Sequence, residues 1–439
     1  MATSFTLPED IGSVEEYFKA RESFVNAERA LGFESKTDRS DLEARAEEIV
    51  QTLKKWEEYN HHGVRVDGSG CEAGHRFLHG LDAIEKSKLF KIAQKAPKGS
   101  LLHCHFDCIL PPRTLLDDAR KQDRLHIKTD CPLTTAGFFA CALPQFCVLP
   151  QAAESGETTN LFSKAYVAGS WMKYSEFLRL FPGGPERAEA WLTNQMVIAS
   201  DDAYHPRQTV DGIWREFMRS VMVLRSLLCY ETAYKGHFRR ILWRLAEDGI
   251  SYAEIRLAMN HLFTIQDDDG TCEYGHAEII QMLADVLKEE TPKIQAAGLT
   301  FYGVKIIYAV LRSATKEAMR WCMDTCIEVK QQFPDLICEL LEMRAKIKKL
   351  GLDLPFIFHA GETLDHGGDT DSNLFDAILL GTKRIGHGFS LVKHPLLMQL
   401  CKERNIAIET CPISNEVLGL SMILDLGVPV FYPTTSIKP

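Results

Sequence analysis

Four of the fifteen histidines in this 439-residue chain stand on, or at the end of, short apolar runs. In PKGSLLHCHFDC, His103 and His105 lie two residues apart on a strand-like stretch, so their imidazoles share one face. Two imidazoles aimed together form half of a zinc site, because zinc takes neutral ring nitrogens at about 2.0–2.1 Å. Taken alone, an H-x-H is as readily a pair of ordinary core or surface histidines. In LPFIFHAGET an apolar strand delivers His359 at its C-terminal end, and a turn containing glycine brings in Glu362. His359 completes a three-histidine set that leaves one position open for water. Glu362 is spaced to give a proton without being a ligand, or else simply opens the next helix, where acids are common. In KRIGHGFSL, His387 sits between two glycines that let another backbone approach closely, although a lone loop histidine is usually only solvated. In IAIETCPISNEVL, Cys411 and Pro412 follow directly on a strand, and Cys411 is expected to do no more than end it.

These residues need elements to carry them. Apolar runs at 101–107, 251–257, 300–310, 354–359, 384–388, 406–410 and 428–431 alternate with segments of helical period such as 314–332 and 339–350. That alternation predicts a parallel α/β architecture, and a (β/α)8 barrel is the economical form of it. A doubly wound open sheet is the alternative, but no G-x-G-x-x-G follows any of the runs. Active sites of barrels lie at the C-terminal ends of the strands, where His359 stands. An acidic stretch of helical period over 13–59 predicts a helical N-terminal arm, set at residues 1–90. The barrel then takes 91–439, with an irregular insertion at about 125–165 rich in Pro, Cys, Gly, Ser and Thr.

Composition narrows the function. Fifty Lys and Arg against 60 Asp and Glu give a net charge of −10, and no basic run interleaved with aromatics stands out, so a nucleic-acid partner is disfavoured. The apolar runs are far too short to span a bilayer. The N-terminus has acids where a secretion signal needs basic and then apolar residues. There is no N-x-S/T sequon, and the 13 cysteines include no C-x-x-C pair. The expectation is a reducing, cytoplasmic setting.

In sequence order, HCHFD, HAGET, RIGHG and CPISN, each at a strand end, resemble the adenosine and AMP deaminase family of amidohydrolase barrels. The stretches PKGSLLHCHFD, SYAEIRL, YGVKIIYAVLRS and QFPDLIC resemble the growth-factor-type branch, so the likeness covers nearly the whole chain. The resemblance implies zinc-dependent hydrolytic deamination of adenosine, and of 2′-deoxyadenosine, to inosine and ammonia. It implies His103, His105 and His359 as zinc ligands, Glu362 as the acid that protonates purine N1, and His387 as the imidazole that orients and helps deprotonate the attacking water. It places Asp107 near the ribose and Trp214, of IWREF, in the nucleoside pocket, unless Trp214 is merely the core face of an amphipathic helix. The implied partner is a small adenine nucleoside. A homodimer and, as the alternative to the cytoplasm, secretion are what relatives of this kind suggest. The chemistry agrees: water attacks the purine slowly and the amine leaves poorly, so zinc is needed to supply hydroxide near neutral pH and an acid to supply a proton.

Two departures from the family pattern bear on activity. After the last strand the family carries Asp-Asp-Pro, whose first Asp is a further zinc ligand; here the sequence is GVPVFYPTTSIKP, with Asp425 before the strand. After QFPDLIC the family has a pocket strand, whereas Cys338 runs into ELLEMRAKIKKLG, leaving a stub for the fourth strand. These predict a barrel with an incomplete fourth strand and a truncated C-terminus. They set an impaired or inactive nucleoside-binding or signalling relative as the alternative function.

Overall fold

The computed structural model describes residues 8, 11–31, 39–60, 76–151, 159–259, 264–310, 314–339, 356–363 and 369–420. The chain divides into two compact units, Met1–Ala73 with Ala83–Lys91, and Gly74–Asp82 with Ile92–Pro439. The first contains α1 (Val14–Leu31) and α2 (Asp41–Asn60), each with acids in its first turn, where they complement the helix dipole. Glu57 on α2 is buried because it serves the start of another helix. Its carboxylate accepts from Ser87 Oγ at 2.7 Å and from the Leu89 N–H at 3.1 Å, and Ser87 Oγ accepts in turn from the Phe90 N–H at 3.0 Å. Amides with no partner inside their own helix are thereby satisfied.

Among the described residues the second unit contains twelve short strands: β1 (Gly99–His105), β2 (Leu125–Lys128), β3 (Gln145–Val148), β4 (Met172–Lys173), β5 (Ile250–Ala258), β6 (Ile265–Gln266), β7 (Glu273–Tyr274), β8 (Gly303–Ala309), β9 (Ile337–Glu339), β10 (Ile357–Ala360), β11 (Arg384–His387) and β12 (Ala407–Glu409). Seven of them form two parallel arcs, β1-β5-β8-β9 and β10-β11-β12. Helices cross over between them: His276–Ala296 before β8, Lys316–Gln332 before β9, Asp369–Leu379 before β11 and Pro395–Glu403 before β12. Thr315 caps the second of these through the Ala318 N–H. Side chains of the two arcs meet in a common interior, where Arg256 of β5 is paired with Glu409 of β12. This is the α/β architecture of the (β/α)8 metal-dependent hydrolases.

Each arc has its own apolar packing. One large cluster joins β5 and β8 residues such as Ile255 and Ile306 to the helices outside them, while Ala360, Leu374, Ile378, Ile385, Leu397 and Cys401 make a separate cluster for the second arc. At 125–173 the connection is an antiparallel sheet of order β3-β2-β4 rather than a βα unit. No described helix is long and apolar enough to cross a membrane.

Two expectations change in detail. The first strand, expected over 101–107, ends at His105, and Asp107 lies on a 3-10 turn, Phe106–Cys108. The ladder stops there because Phe106 is fully buried against Tyr234 and His237, and its carbonyl accepts from His237 Nε2 at 2.9 Å instead of a strand neighbour. The helix expected over 339–350 does not include Glu339, which belongs to β9. Its remainder, like the strand expected at 428–431 and Asp425, lies outside the described residues.

Candidate active site

The period of two on β1 places His103 and His105 on one face, with ring centroids 5.5 Å apart, and β10 brings His359 from the opposite arc. The His359 ring lies 4.8 Å from that of His103 and 5.3 Å from that of His105. One nitrogen from each of the three falls within a 4.8 Å cluster, and the Nε2 atoms of His105 and His359 are 3.3 Å apart. Two ligands of a tetrahedral metal at 2.0–2.1 Å are separated by about 3.3–3.4 Å, so this donor set fits a zinc ion. Burial holds all three imidazoles below the ordinary histidine range: His103 despite its hydrogen bond to Glu409, His105 down to about 3, and His359 well below the usual value, with the neighbouring histidines and Arg256 adding repulsion. His105 is reachable by solvent yet ringed by protein groups. Neutral imidazoles are what a metal requires.

His387, at the end of β11, sets its ring edge-on to His103 at 5.2 Å and tilted against His359 at 5.5 Å. It has φ of 69°, the left-handed region that non-glycine residues rarely adopt. The twist turns the buried ring so that Nδ1 meets Asn415 Oδ1 at 2.7 Å, while Asn415 Nδ2 donates to the Glu362 carbonyl at 2.8 Å. With its amide nitrogen so engaged, Asn415 accepts from His387 Nδ1–H, which leaves His387 Nε2 with a free lone pair. Glu362, also buried, is thereby tied to His387 through one side chain of the helix Pro412–Val417.

The glycines around His387 act by absence of bulk. His359, Gly386 and Glu409 stand in register across β10, β11 and β12, and a Cβ on Gly386 would lie 2.8 Å from His103 Cε1. The His103 ring therefore occupies the gap between its two neighbours. Gly388, with φ of 60°, lies where a Cβ would meet Ile408 at 2.9 Å.

Asp107 is set apart from the histidines in its contacts. Its Oδ2 lies 3.2 Å from Arg225 Nε, and burial raises its carboxyl above the usual range even though that guanidinium opposes the rise. The pair lines a pocket with Tyr234, Met259, Thr264 and His276. Trp214 is on the helix Val210–Leu227 with 40% of its surface exposed and its ring against Phe217, so it is not on a core face. Cys411 follows β12, and its sulfur falls within a 4.8 Å cluster with nitrogens of His103 and His387; burial pushes its thiol up to about 11.

Four residues of this site went unnoticed in the sequence: Asn415, Arg225, Glu409 and Arg256. Glu409 accepts from His103 Nδ1 at 3.0 Å, pairs with Arg256 through the same oxygen, and lies 3.1 Å from Arg384 through the other. Although burial pushes its carboxyl up, the His103 hydrogen bond and the two guanidinium groups hold it below the ordinary glutamate range. Arg256 also donates to the Leu102 carbonyl at 3.0 Å. The one signal was SYAEIRL itself, where Glu254 and Arg256 put opposite charges on one face of an otherwise apolar strand.

The sequence profile of the family described as adenosine deaminase matches residues 199–425. An adenosine deaminase of Lutzomyia longipalpis is 32% identical over 422 residues, covering 92% of this chain and 76% of that protein. Adenosine deaminase 2 of Homo sapiens is 27% identical over 365 residues, covering 78% of this chain and 65% of its own length. Among solved structures, an Arabidopsis N6-mAMP deaminase overlays with a TM-score of 0.46 at 13% identity, covering 76% of this chain and 78% of that one.

Proposed function

The chain belongs to the adenosine deaminase family, and we propose that it carries out zinc-dependent hydrolytic deamination of adenosine, and of 2′-deoxyadenosine, to inosine and ammonia. The observation that carries this reading is the convergence of His103, His105 and His359 from two arcs on one point, with His387 beside them. In this reading those three imidazoles hold the zinc, which when bound supplies the Lewis acidity that makes hydroxide available near neutral pH. His387, its Nδ1–H engaged by Asn415, takes a proton from the attacking water at Nε2. Glu362 gives a proton to N1 of the purine, so that the ring accepts the nucleophile; the C6 amine then leaves as ammonia with the proton that His387 took from the water, and the C6 hydroxyl proton returns to Glu362 as the carbonyl of inosine forms. Asp107, fixed by Arg225, accepts a hydrogen bond from the ribose.

Metal analysis of the purified chain and the conversion of adenosine to inosine, followed by absorbance, test the proposal together. One zinc per chain with turnover is the expected outcome. His103→Ala and His359→Ala each leave two ring ligands and should lose the metal; normal zinc in both would overturn the assignment. A second reading rests on the sequence after QFPDLIC, where Cys338 runs into ELLEMRAKIKKLG and leaves a stub for the fourth strand. It is a relative that binds nucleoside without turning it over, and the same assay would show it as zinc and adenosine bound with no inosine formed.

A further inference from the structure

The imidazole of His103 is held by a charged network that the proposed reaction does not use. Its Nδ1 lies 3.0 Å from Glu409 Oε2. That oxygen also receives Arg256, whose other arm is fixed on the Leu102 carbonyl one residue before His103, and Arg384 lies against the second carboxylate oxygen. Arg256 and Glu409 are buried, and Arg384 pairs onward with Glu254. The four groups are two cations and two anions, so the cluster is neutral without His103 being charged.

A carboxylate kept ionised between two guanidinium groups can only accept. The group facing it must therefore be Nδ1–H, and the proton of a neutral ring cannot then be on Nε2. We propose that Glu409 is a positioning residue: it fixes His103 as the Nδ1–H tautomer and sets the plane of the ring, so that a bare Nε2 faces His105 and His359. This rests on the zinc assignment proposed above for its consequence, but not for the tautomer, which holds in the metal-free protein as well. The contact supplies the outer support that carboxylates give to metal-binding histidines, whose loss typically weakens metal affinity by about 10–100-fold. Gly386 supports the same orientation from another side, since it leaves room only for the edge of the ring.

Two measurements on the full chain test this. In the metal-free protein with 15N-labelled histidine, the NMR signals that disappear in His103→Ala identify the ring, and its proton is expected on Nδ1. A proton on Nε2 in the wild-type protein would overturn the proposal whether or not any variant folds, and whether or not the chain binds zinc. The second measurement is zinc affinity by competition with a chelator. Glu409→Gln keeps the shape and removes the charge, and is expected to loosen zinc by about 10–100-fold. Glu290→Gln is the control for loss of a buried carboxylate, because Glu290 bonds Trp243, Arg239 and Lys293 on helices away from the cluster. It should leave zinc affinity within about threefold, a change of under 1 kcal/mol. Equal zinc affinity in Glu409→Gln and the wild type would show that Glu409 serves only the fold. Absence of zinc binding in the wild type would instead defeat the functional reading, with the tautomer still to decide this one.

Discussion

His103 is confined from two directions, by the Glu409 carboxylate at Nδ1 and by the missing side chain of Gly386 at Cε1. Gly386→Ala would put a methyl group 2.8 Å from Cε1 and must displace the ring, because the alternative is to move β11 between its two parallel neighbours. The expected outcome is a folded protein whose zinc affinity falls by at least tenfold, a loss of about 1.4 kcal/mol; unchanged chelator competition would show that the ring tolerates the shift. Glu362→Gln separates proton donation from metal binding. It should retain zinc and still admit adenosine, while kcat falls by roughly 10²–10⁴-fold. Turnover within about tenfold of the wild type would assign the proton to another acid. The histidines were legible in the sequence because their chemistry is rare at strand ends and their spacing of two fixes a common face. Asn415 and Glu409 were not, since each acts on a residue of another element through a contact that only the folded chain creates.

At the scale of elements, the apolar runs placed the barrel strands well, but where each stops depends on neighbours. β1 ends where Phe106 gives its carbonyl to His237 on the helix Glu231–Glu247, and no local signal in HCHFDC foretells that. The contact makes this helix sensitive to acid. His237 is fully buried, donates from Nε2 to Phe106, and has no partner for Nδ1 among the described residues. Burial, aided by Arg240, pushes its pKa down to about 4, against the opposing effects of the Phe106 carbonyl and Asp118. In the unfolded chain the group titrates at about 6.5. The folded state therefore resists a proton that the unfolded state takes up, so stability is constant above about pH 6.5 and is lost as the pH falls from there towards about 4. The whole window amounts to about 3 kcal/mol. Urea unfolding of the wild type and His237→Gln at pH 7.5 and pH 4.5 measures it, because the glutamine amide can keep the donor without titrating. The stability gap between the two should narrow by about 2–3 kcal/mol at the lower pH; a gap that stays constant would place the acid sensitivity elsewhere.

Across the whole molecule, the two arcs of strands do not share an apolar core: among the described residues of the second unit each arc has its own cluster. What joins the arcs in the interior is polar. Arg384 of β11 reaches Glu254 of β5, whose other oxygen accepts from the Tyr252 hydroxyl at 3.0 Å, and Arg256 of β5 reaches Glu409 of β12. Ion pairs between partly or wholly buried groups contribute little net stability relative to apolar residues of equal volume, because both charges must be stripped of water. Breaking one from a single side is another matter, since it strands the partner. Arg384→Met leaves Glu254 without its cation, takes one of two from Glu409 and should destabilise the chain by about 3–5 kcal/mol, while Arg384→Met combined with Glu254→Met should recover the part due to Glu254. Urea unfolding with the slope compared between variants is the measurement, and an unchanged slope confirms that the same cooperative unit is being followed. If Arg384→Met alone lowers stability by less than about 1 kcal/mol, the charges are effectively solvated and these ion pairs are not what joins the two arcs.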